Sequence, residues 1–526
     1  MRSGPPDETA LTPQVLGAEQ QESRARFPFP SHEEACATNR GTSYHRPQLA
    51  GSGPTALITA AQLVEESEER AMTDPDTMEA AHRRHELSDA ATRKVFRRLL
   101  PFLLLMYVIA FLDRSNVSFA QQEFEVDFGI SASAYAFGAG LFFVGYAVFE
   151  VPSNLLLHRI GARWWLARIM VSWGIVSTAF MFVQGPTSFY ILRFLLGVTE
   201  AGFFPGVILY LTYWVPARHL SQARGYFYMG IALAGILGNP LSGGLLELNG
   251  VFGLRGIQWM FMVEGLLAIV VGVWSYFYLT DKPEQATWLP EDERKALVDT
   301  VYAEDDAKAS GHGPQKVWVA LGNWRVWYFA LIYFCIQIAV YGVTFFLPTQ
   351  VTNITGQKLG FAASLVTAIP WAFALLAVAY FPRLADRTRK HRLIGTMLLL
   401  ATAVGIVVSG ALSGSPVLAI AGLSLAAMGF VAMQPIFWTL PTEYMTGYAA
   451  AAGIGLINSL GNLGGFLAPN MRDYFKETIG GNAGLYSLAV AAVVGAVLFL
   501  LTAVFKKANE IEAGHLQEVD AAYTRH

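Results

Sequence analysis

The stretch Tyr190–Pro216, YILRFLLGVTEAGFFPGVILYLTYWVP, is long and apolar enough to cross a bilayer, yet it holds Arg193 and Glu200. Crossing takes about 20 mainly apolar residues. A charge at the bilayer centre costs about 2.5–3.5 kcal/mol even on the mildest scale. Seven residues are two helical turns, so both charges leave the helix on one face. That face cannot meet lipid. It must look into a polar cavity or at charges on another helix, and Asp113 and Arg114 are the partners expected for it.

Only 15% of the 526 residues are charged and 53% are hydrophobic, against about 25% charged in ordinary soluble domains. The chain therefore reads as an all-α, polytopic membrane protein. Hydropathy places spans at about 99–120, 133–157, 164–184, 187–213, 222–246 and 258–279. After a polar interruption, six more follow at about 324–350, 359–381, 392–413, 416–440, 447–470 and 483–505. The expected plan has a disordered N-terminal segment (1–87), a six-helix bundle (88–280), a central loop (281–323), a second six-helix bundle (324–507) and a tail (508–526). Residues 1–87 are polar and lack the apolar run of a signal peptide. Met72 and Met78 lie nearer the first span, so 1–71 reads either as an extension from an upstream start or as a true tail. Within the central loop, Pro290 followed by Glu291, Asp292 and Glu293 marks the start of a short surface helix.

Basic residues fall on alternate loops. Arg93, Lys94, Arg97, Arg98, Arg159, Arg163, Arg218 and Arg224 share one side with Arg383, Arg387, Arg389, Lys390, Arg392, Lys506 and Lys507. The opposite loops hold only Arg255, Lys358, Arg472 and Lys476. This bias places both termini and the central loop in the cytoplasm, in a multi-pass protein of the cell inner membrane. Cys36 and Cys335 have neither disulfide-framework nor metal-ligand spacing. No Ser/His/Asp set, metal cluster or phosphate-binding glycine loop is present, so the reading is not an enzyme and needs neither metal nor cofactor, with protons as the coupling ion. Nucleic acid is not an expected partner; the lipid bilayer is, and the chain is expected to work as a monomer.

At 1.5 Å per residue, Asp113 and Arg114 lie about 10 Å below the outer end of span one, and Arg193 about 9 Å below that of span four. Glu200 lies two turns deeper. An arginine keeps its charge and grips a carboxylate with two parallel bonds, which makes Arg114 or Arg193 the anchor for an anionic substrate. Burial disfavours an ionised carboxylate and a neighbouring guanidinium favours it. An anion that competes for the arginine therefore favours protonation of Asp113 or Glu200, which couples anion to proton. The bland alternative is a static ion pair clamping spans one and four. Glu150 and Glu264 sit near span ends, where interfacial or gate-level hydrogen bonding is the expectation. The second half has no comparable charges; Gln337 and Tyr341, Gln434 with Trp438 and Thr439, and Asn458 with Asn462 fall on common faces. Of these, Tyr341, Trp438 and Asn458 are the expected substrate contacts, with interhelical hydrogen bonds as the competing explanation.

The loop Leu156-Leu-His-Arg-Ile-Gly-Ala-Arg163 between spans two and three recurs as Leu384-Ala-Asp-Arg-Thr-Arg-Lys390 between spans eight and nine. Repeated halves mark transporter folds, with the site at their interface. The twelve spans and paired basic loops resemble the major facilitator superfamily, which implies two pseudo-symmetric six-helix bundles. In that superfamily the loop carries an aspartate in a basic cluster; here His158 replaces the first and Asp386 keeps the second. The resemblance makes Arg159, Gly161, Arg163, Asp386 and Arg387 a cytoplasmic gate, latched if the aspartate pairs across helices. Leu112-Asp-Arg-Ser-Asn-Val-Ser-Phe-Ala120, Glu150-Val-Pro-Ser-Asn154, Arg193-Phe-Leu-Leu-Gly-Val-Thr-Glu-Ala-Gly-Phe-Phe-Pro205 and Trp259-Met-Phe-Met-Val-Glu-Gly265 are similar to the anion:cation symporter branch. That similarity implies uptake of a small organic anion such as a sugar acid, tartrate or an aromatic carboxylate with protons, carried by Asp113 and Glu200. Gly238-Asn-Pro-Leu-Ser-Gly-Gly244 resembles an antiporter signature interrupted by Asn239, which keeps an antiporter or exporter as the alternative. A non-transporting sensor would need a soluble output domain that the sequence does not offer.

Overall fold

The computed structural model describes residues 75–310, 322–444 and 447–503. Most of the expected N-terminal segment, part of the central loop and the tail 508–526 lie outside these residues. Every regular element described is a helix. The first, Pro75–Ser115, begins earlier than expected, because 75–87 lie within it. Proline suits the first helical turn, and Met, Glu, Ala and Arg that follow are good helix formers.

Eleven described helices or helix pairs are long and apolar enough to cross a membrane. The other expected span, 447–470, is two 16-residue helices, Gly447–Asn462 and Gly464–Ile479, parted at Leu463. Three other spans are broken in the same manner. Span one continues past Asn116 as Val117–Asp127, and span seven is Trp324–Thr344 followed by Leu347–Thr355. Span four is Pro186–Glu200 and Phe203–Trp214, parted at Ala201 and Gly202. Gly202 takes φ +86°, and a Cβ there would lie 2.3 Å from Ser153 Oγ. The break thus needs glycine for both its backbone and its space. It ends the first helix of span four at Glu200, so that the carboxylate sits beside irregular backbone. Such breaks are tolerated at membrane depth where protein or a polar cavity surrounds them.

Packing repeats between the halves. Span two packs on four as eight packs on ten, and three on six as nine on twelve. The interface between halves is made chiefly by five on eight and two on eleven, and a shift of six spans exchanges these two contacts. Small residues make the close approaches possible. A Cβ on Gly197 would lie 2.0 Å from the Phe142 carbonyl oxygen, and one on Gly145 2.5 Å from that of Phe194. Because the obstacle is backbone, Gly197→Ala is expected to cost about 1–3 kcal/mol by overpacking. Thermal unfolding in detergent checks this against Gly225→Ala, where a Cβ would meet nothing within 4 Å. Equal melting temperatures for the two variants would refute the account.

The central segment is more than a surface helix. Glu291–Ser310 buries Leu297 and Val301 and is fastened to the first half. Lys94 Nζ donates to Glu293 Oε1 at 2.8 Å, and the Ala217 N–H to Glu304 Oε2 at 2.8 Å. Trp288 stacks on Trp214, with the Arg98 guanidinium 5.0 Å from its ring.

Candidate functional site

Span one delivers two charges in opposite senses. Asp113 and Arg114 are adjacent, so their side chains diverge by about 100°. Asp113 turns into the first half, where it accepts from Trp173 Nε1 at 2.8 Å and Ser177 Oγ at 2.7 Å. Asn116 Nδ2 approaches the same carboxylate at 3.4 Å and also donates to Glu264 Oε2 at 3.0 Å. Glu264 accepts from Ser242 Oγ at 2.6 Å as well and is fully buried. Its packing is internal to the first half, where the sequence suggested a span end.

Arg114 turns into the space between the halves. Its Nη1 donates to the Tyr341 hydroxyl at 2.7 Å, and its Nη2 to Glu200 Oε1. The guanidinium also lies 5.1 Å from the centre of the Phe142 ring and 5.3 Å from that of Tyr146. Glu200 is wholly buried, and its Oε2 has no hydrogen-bond partner among the described residues. Spans one, four and seven therefore meet at a single guanidinium. One face of it binds the first half, and its other hydrogen bond crosses to the second.

Arg193 departs from expectation. It is fully buried, donates through Nη2 to the Ala139 carbonyl at 2.9 Å, and leaves Nε and Nη1 without partners among the described residues. It lies 5.1 Å from the Phe142 ring and 5.8 Å from that of Phe345, off the lining of the central cavity. Seven residues give Arg193 and Glu200 the same face, but packing turns Arg193 onto span two and Glu200 onto Arg114 of span one. Asp113 and Arg193 accordingly do not pair.

The cavity around Arg114 is walled by Tyr107, Tyr146, Tyr228, Tyr341 and Asn458. Its volume is about 20 Å³, little more than the room one water needs. An organic acid enters only if side chains move, and the partners it would displace from Arg114 are Glu200 and Tyr341. Gln337 lines the cavity and donates to Asn462 Oδ1 at 2.8 Å. Tyr333 donates to Gln434 Oε1 at 3.2 Å. Trp438 stands one ring back, edge-on to Tyr333 with centroids 5.0 Å apart. Asn458 donates to Glu150 Oε1, and Ser459 Oγ donates to Glu150 Oε2 at 2.7 Å. Sequence reasoning named Tyr341 but missed Tyr107, Tyr146 and Tyr228 as cavity residues. Tyr107 stands seven residues before Arg114, and Tyr146 four before Glu150, so helical spacing contained the signal.

The two ends of the interface differ. Away from the basic loops the halves are sealed: Thr349 Oγ1 donates to Gln121 Oε1 at 3.2 Å, and the Phe361 N–H to Glu247 Oε1 at 2.8 Å. A Cβ on Gly243 would fall 1.9 Å from Ser364 Oγ. At the basic end a cleft of about 310 Å³ opens between spans five, eight and ten, lined by Arg218, Tyr226, Arg383 and Asp386 among others. The expected gate residues behave unequally there. Gly161 takes φ +103°, and the Arg163 N–H beside it donates to Asp281 Oδ1 at 2.8 Å. Asp281, unforeseen, supplies a carboxylate to the loop in which His158 replaces the aspartate. Arg163 also donates to the Tyr276 carbonyl. Asp386 contacts His391 of its own loop at 2.8 Å instead of pairing across helices, while Arg159 and Arg387 are exposed. A further tie, of Asp89 to Arg218 at 2.6 Å and to His219 at 2.9 Å, joins the long first helix to the start of span five.

Comparison with known proteins agrees with the fold. The sequence profile of the Major Facilitator Superfamily matches residues 103–469. The chain is 46% identical to the inner membrane transport protein RhmT of Escherichia coli over 82% of this chain and 99% of that one. It is 44% identical to a putative tartrate transporter of Agrobacterium vitis, over 79% and 95%. It is also 39% identical to a quinolone resistance transporter of Acinetobacter baumannii, over 77% and 93%. Among solved structures, the xylose transporter XylE of E. coli in a partially occluded inward-open conformation superposes with a TM-score of 0.63 at 14% identity. That match covers 77% of this chain and 97% of XylE.

Proposed function

We propose that this chain, which belongs to the Major Facilitator Superfamily, is a proton-coupled symporter that carries a small organic anion inward by alternating access. It is a multi-pass membrane transporter, not an enzyme. The observation that carries the finer reading is the buried Arg114, held between Glu200 and Tyr341 in a cavity between the halves. An entering carboxylate takes the guanidinium from Glu200 with paired charge-assisted bonds. Glu200, stripped of its cation in a low-dielectric site, takes up a proton. Asp113, without a cation partner among the described residues and held by Trp173 and Ser177, is the second proton carrier in this reading. Tyr341 and Asn458 complete the substrate contacts, Trp438 and Arg193 support them from behind, and the loops around Gly161 and Asp386 form the cytoplasmic gate. The basic loops put both termini in the cytoplasm of an inner-membrane protein. The cleft at that end shares no lining residue with the Arg114 cavity, which fits a state occluded from that side, and a single chain suffices for the cycle.

The test is uptake into proteoliposomes under an inward proton gradient, with labelled tartrate, aldonates, hexuronates, phthalate and hydroxyphenylacetate. One acid is expected to accumulate, and a protonophore to abolish the accumulation. The alternative, a proton-driven exporter, is favoured by the likeness to a quinolone resistance transporter and by the interrupted antiporter-like run from Gly238 to Gly244. Efflux from loaded vesicles under an opposed gradient, with no accumulation of any acid, would establish that reading and remove symport.

A further inference from the structure

Glu150 lies in span two, four residues and one turn beyond the cavity-lining Tyr146 toward the basic end. It is fully buried. Both carboxylate oxygens are used, and both bonds cross to the other half: Asn458 Nδ2 donates to Oε1, and Ser459 Oγ donates to Oε2 at 2.7 Å. Arg114 is the charged group that faces it, with the hydroxyls of Tyr146 and Tyr333 nearby. Asn458 is therefore shared. Its side chain lines the cavity, while one N–H of its amide is given to Glu150.

We propose that Glu150 is a positioning residue that links filling of the cavity to opening of the basic end. It holds spans two and eleven together through Asn458 and Ser459 while the cavity is empty, and it lets them part when a substrate draws the Asn458 amide away. The second amide N–H and the carbonyl of Asn458 can meet a substrate, and a substrate that turns the side chain toward the cavity lengthens its bond to Glu150. The half-to-half bond lost on binding lies on the exit side of the cavity, whereas the seals at Gln121 and Glu247 lie at the other end. Substrate thus loosens the end toward which it is to be released. This rests on the transport reading for the identity of the ligand, but the latch itself operates in the empty protein.

The test measures distances between spin labels at Ile160→Cys and Leu393→Cys, exposed positions at the basic ends of the two halves. Cys36→Ser and Cys335→Ser supply the background, in lipid nanodiscs without any acid. Glu150→Ala removes both bonds and is expected to enlarge the longer-distance population about fivefold, as loss of charge-assisted bonds shifts a two-state balance. Glu150→Gln can accept from Asn458 and donate to Ser459, so it is expected to keep the parent distribution. Ser459→Ala, which deletes one donor without leaving a cavity, gives an intermediate shift and replaces Glu150→Ala should that variant not be recovered folded. A distance distribution in Glu150→Ala or Ser459→Ala identical to the parent overturns the latch, as does an equal shift in Glu150→Gln and Glu150→Ala. These readouts need no substrate. Failure of every acid in the uptake screen therefore leaves them decisive, and a null shift leaves the transport reading intact.

Discussion

Glu200→Gln is expected to abolish accumulation of the organic acid under a proton gradient while leaving exchange of labelled for unlabelled acid in place. Glutamine keeps the shape and can still accept from Arg114, so the cavity wall survives. What it loses is the exchangeable proton. In the parent, substrate and Glu200 compete for one guanidinium, so binding of the anion and protonation of Glu200 favour each other by linkage. The sign follows. Affinity in the parent rises as pH falls, because protonation withdraws the competitor. In Glu200→Gln the competing charge is absent at every pH and only a weaker neutral acceptor remains, so affinity is high and nearly flat. Counterflow measured between pH 5.5 and 8 separates the two behaviours. Gradient-driven accumulation equal to the parent would remove Glu200 from the coupling role and leave Asp113 to carry it.

Arg114→Ala is expected to lose uptake and exchange together, because it removes the anchor and also strands Glu200. Truncating one partner of a buried, hydrogen-bonded charge pair costs about 2–5 kcal/mol, some thirtyfold or more in affinity. A buried carboxylate left without its cation further destabilises the fold by about 3–5 kcal/mol. Arg114→Lys distinguishes charge from geometry. An ammonium retains the charge but not the planar fork that now serves Glu200 and Tyr341 at once. Its expected signature is a KM raised about tenfold or more with residual exchange, and folding close to the parent. Combining Arg114→Ala with Glu200→Gln removes both charges, so stability is expected to recover while transport does not. Transport by Arg114→Ala at the parental KM would sink the anchor role.

The contrast between Arg114 and Arg193 shows where sequence reasoning stops. Both arginines sit mid-span, and nothing in composition separates them. Periodicity correctly put Arg193 and Glu200 on one face, and helical rise put Arg193 level with Asp113. The pairs that form are decided by which way each face turns once helices pack, and the sequence does not state that rotation. Gly197 and Gly145, which let spans two and four touch backbone to backbone, set it from outside the charged face. Tyr107, Tyr146 and Tyr228 of the cavity were missed for a related reason: a tyrosine in an apolar span looks the same whether it lines a site or fills the core.

What the sequence determined by itself is what hydrophobicity and charge alone dictate. Lipid rejects charge and unpaired backbone, so the number of spans, their grouping in two sets of six and the need for a polar interior around Asp113, Arg114, Arg193 and Glu200 followed from the order of residues. The tertiary structure alone decided which of those charges meet, that the span-four helix stops at Glu200, and that Asn458 belongs to Glu150 as well as to the cavity. These are contacts between residues separated by 86 to 308 positions. A hydrogen bond depends on a few tenths of an ångström and a direction, and those are fixed only when every helix has been packed against its neighbours.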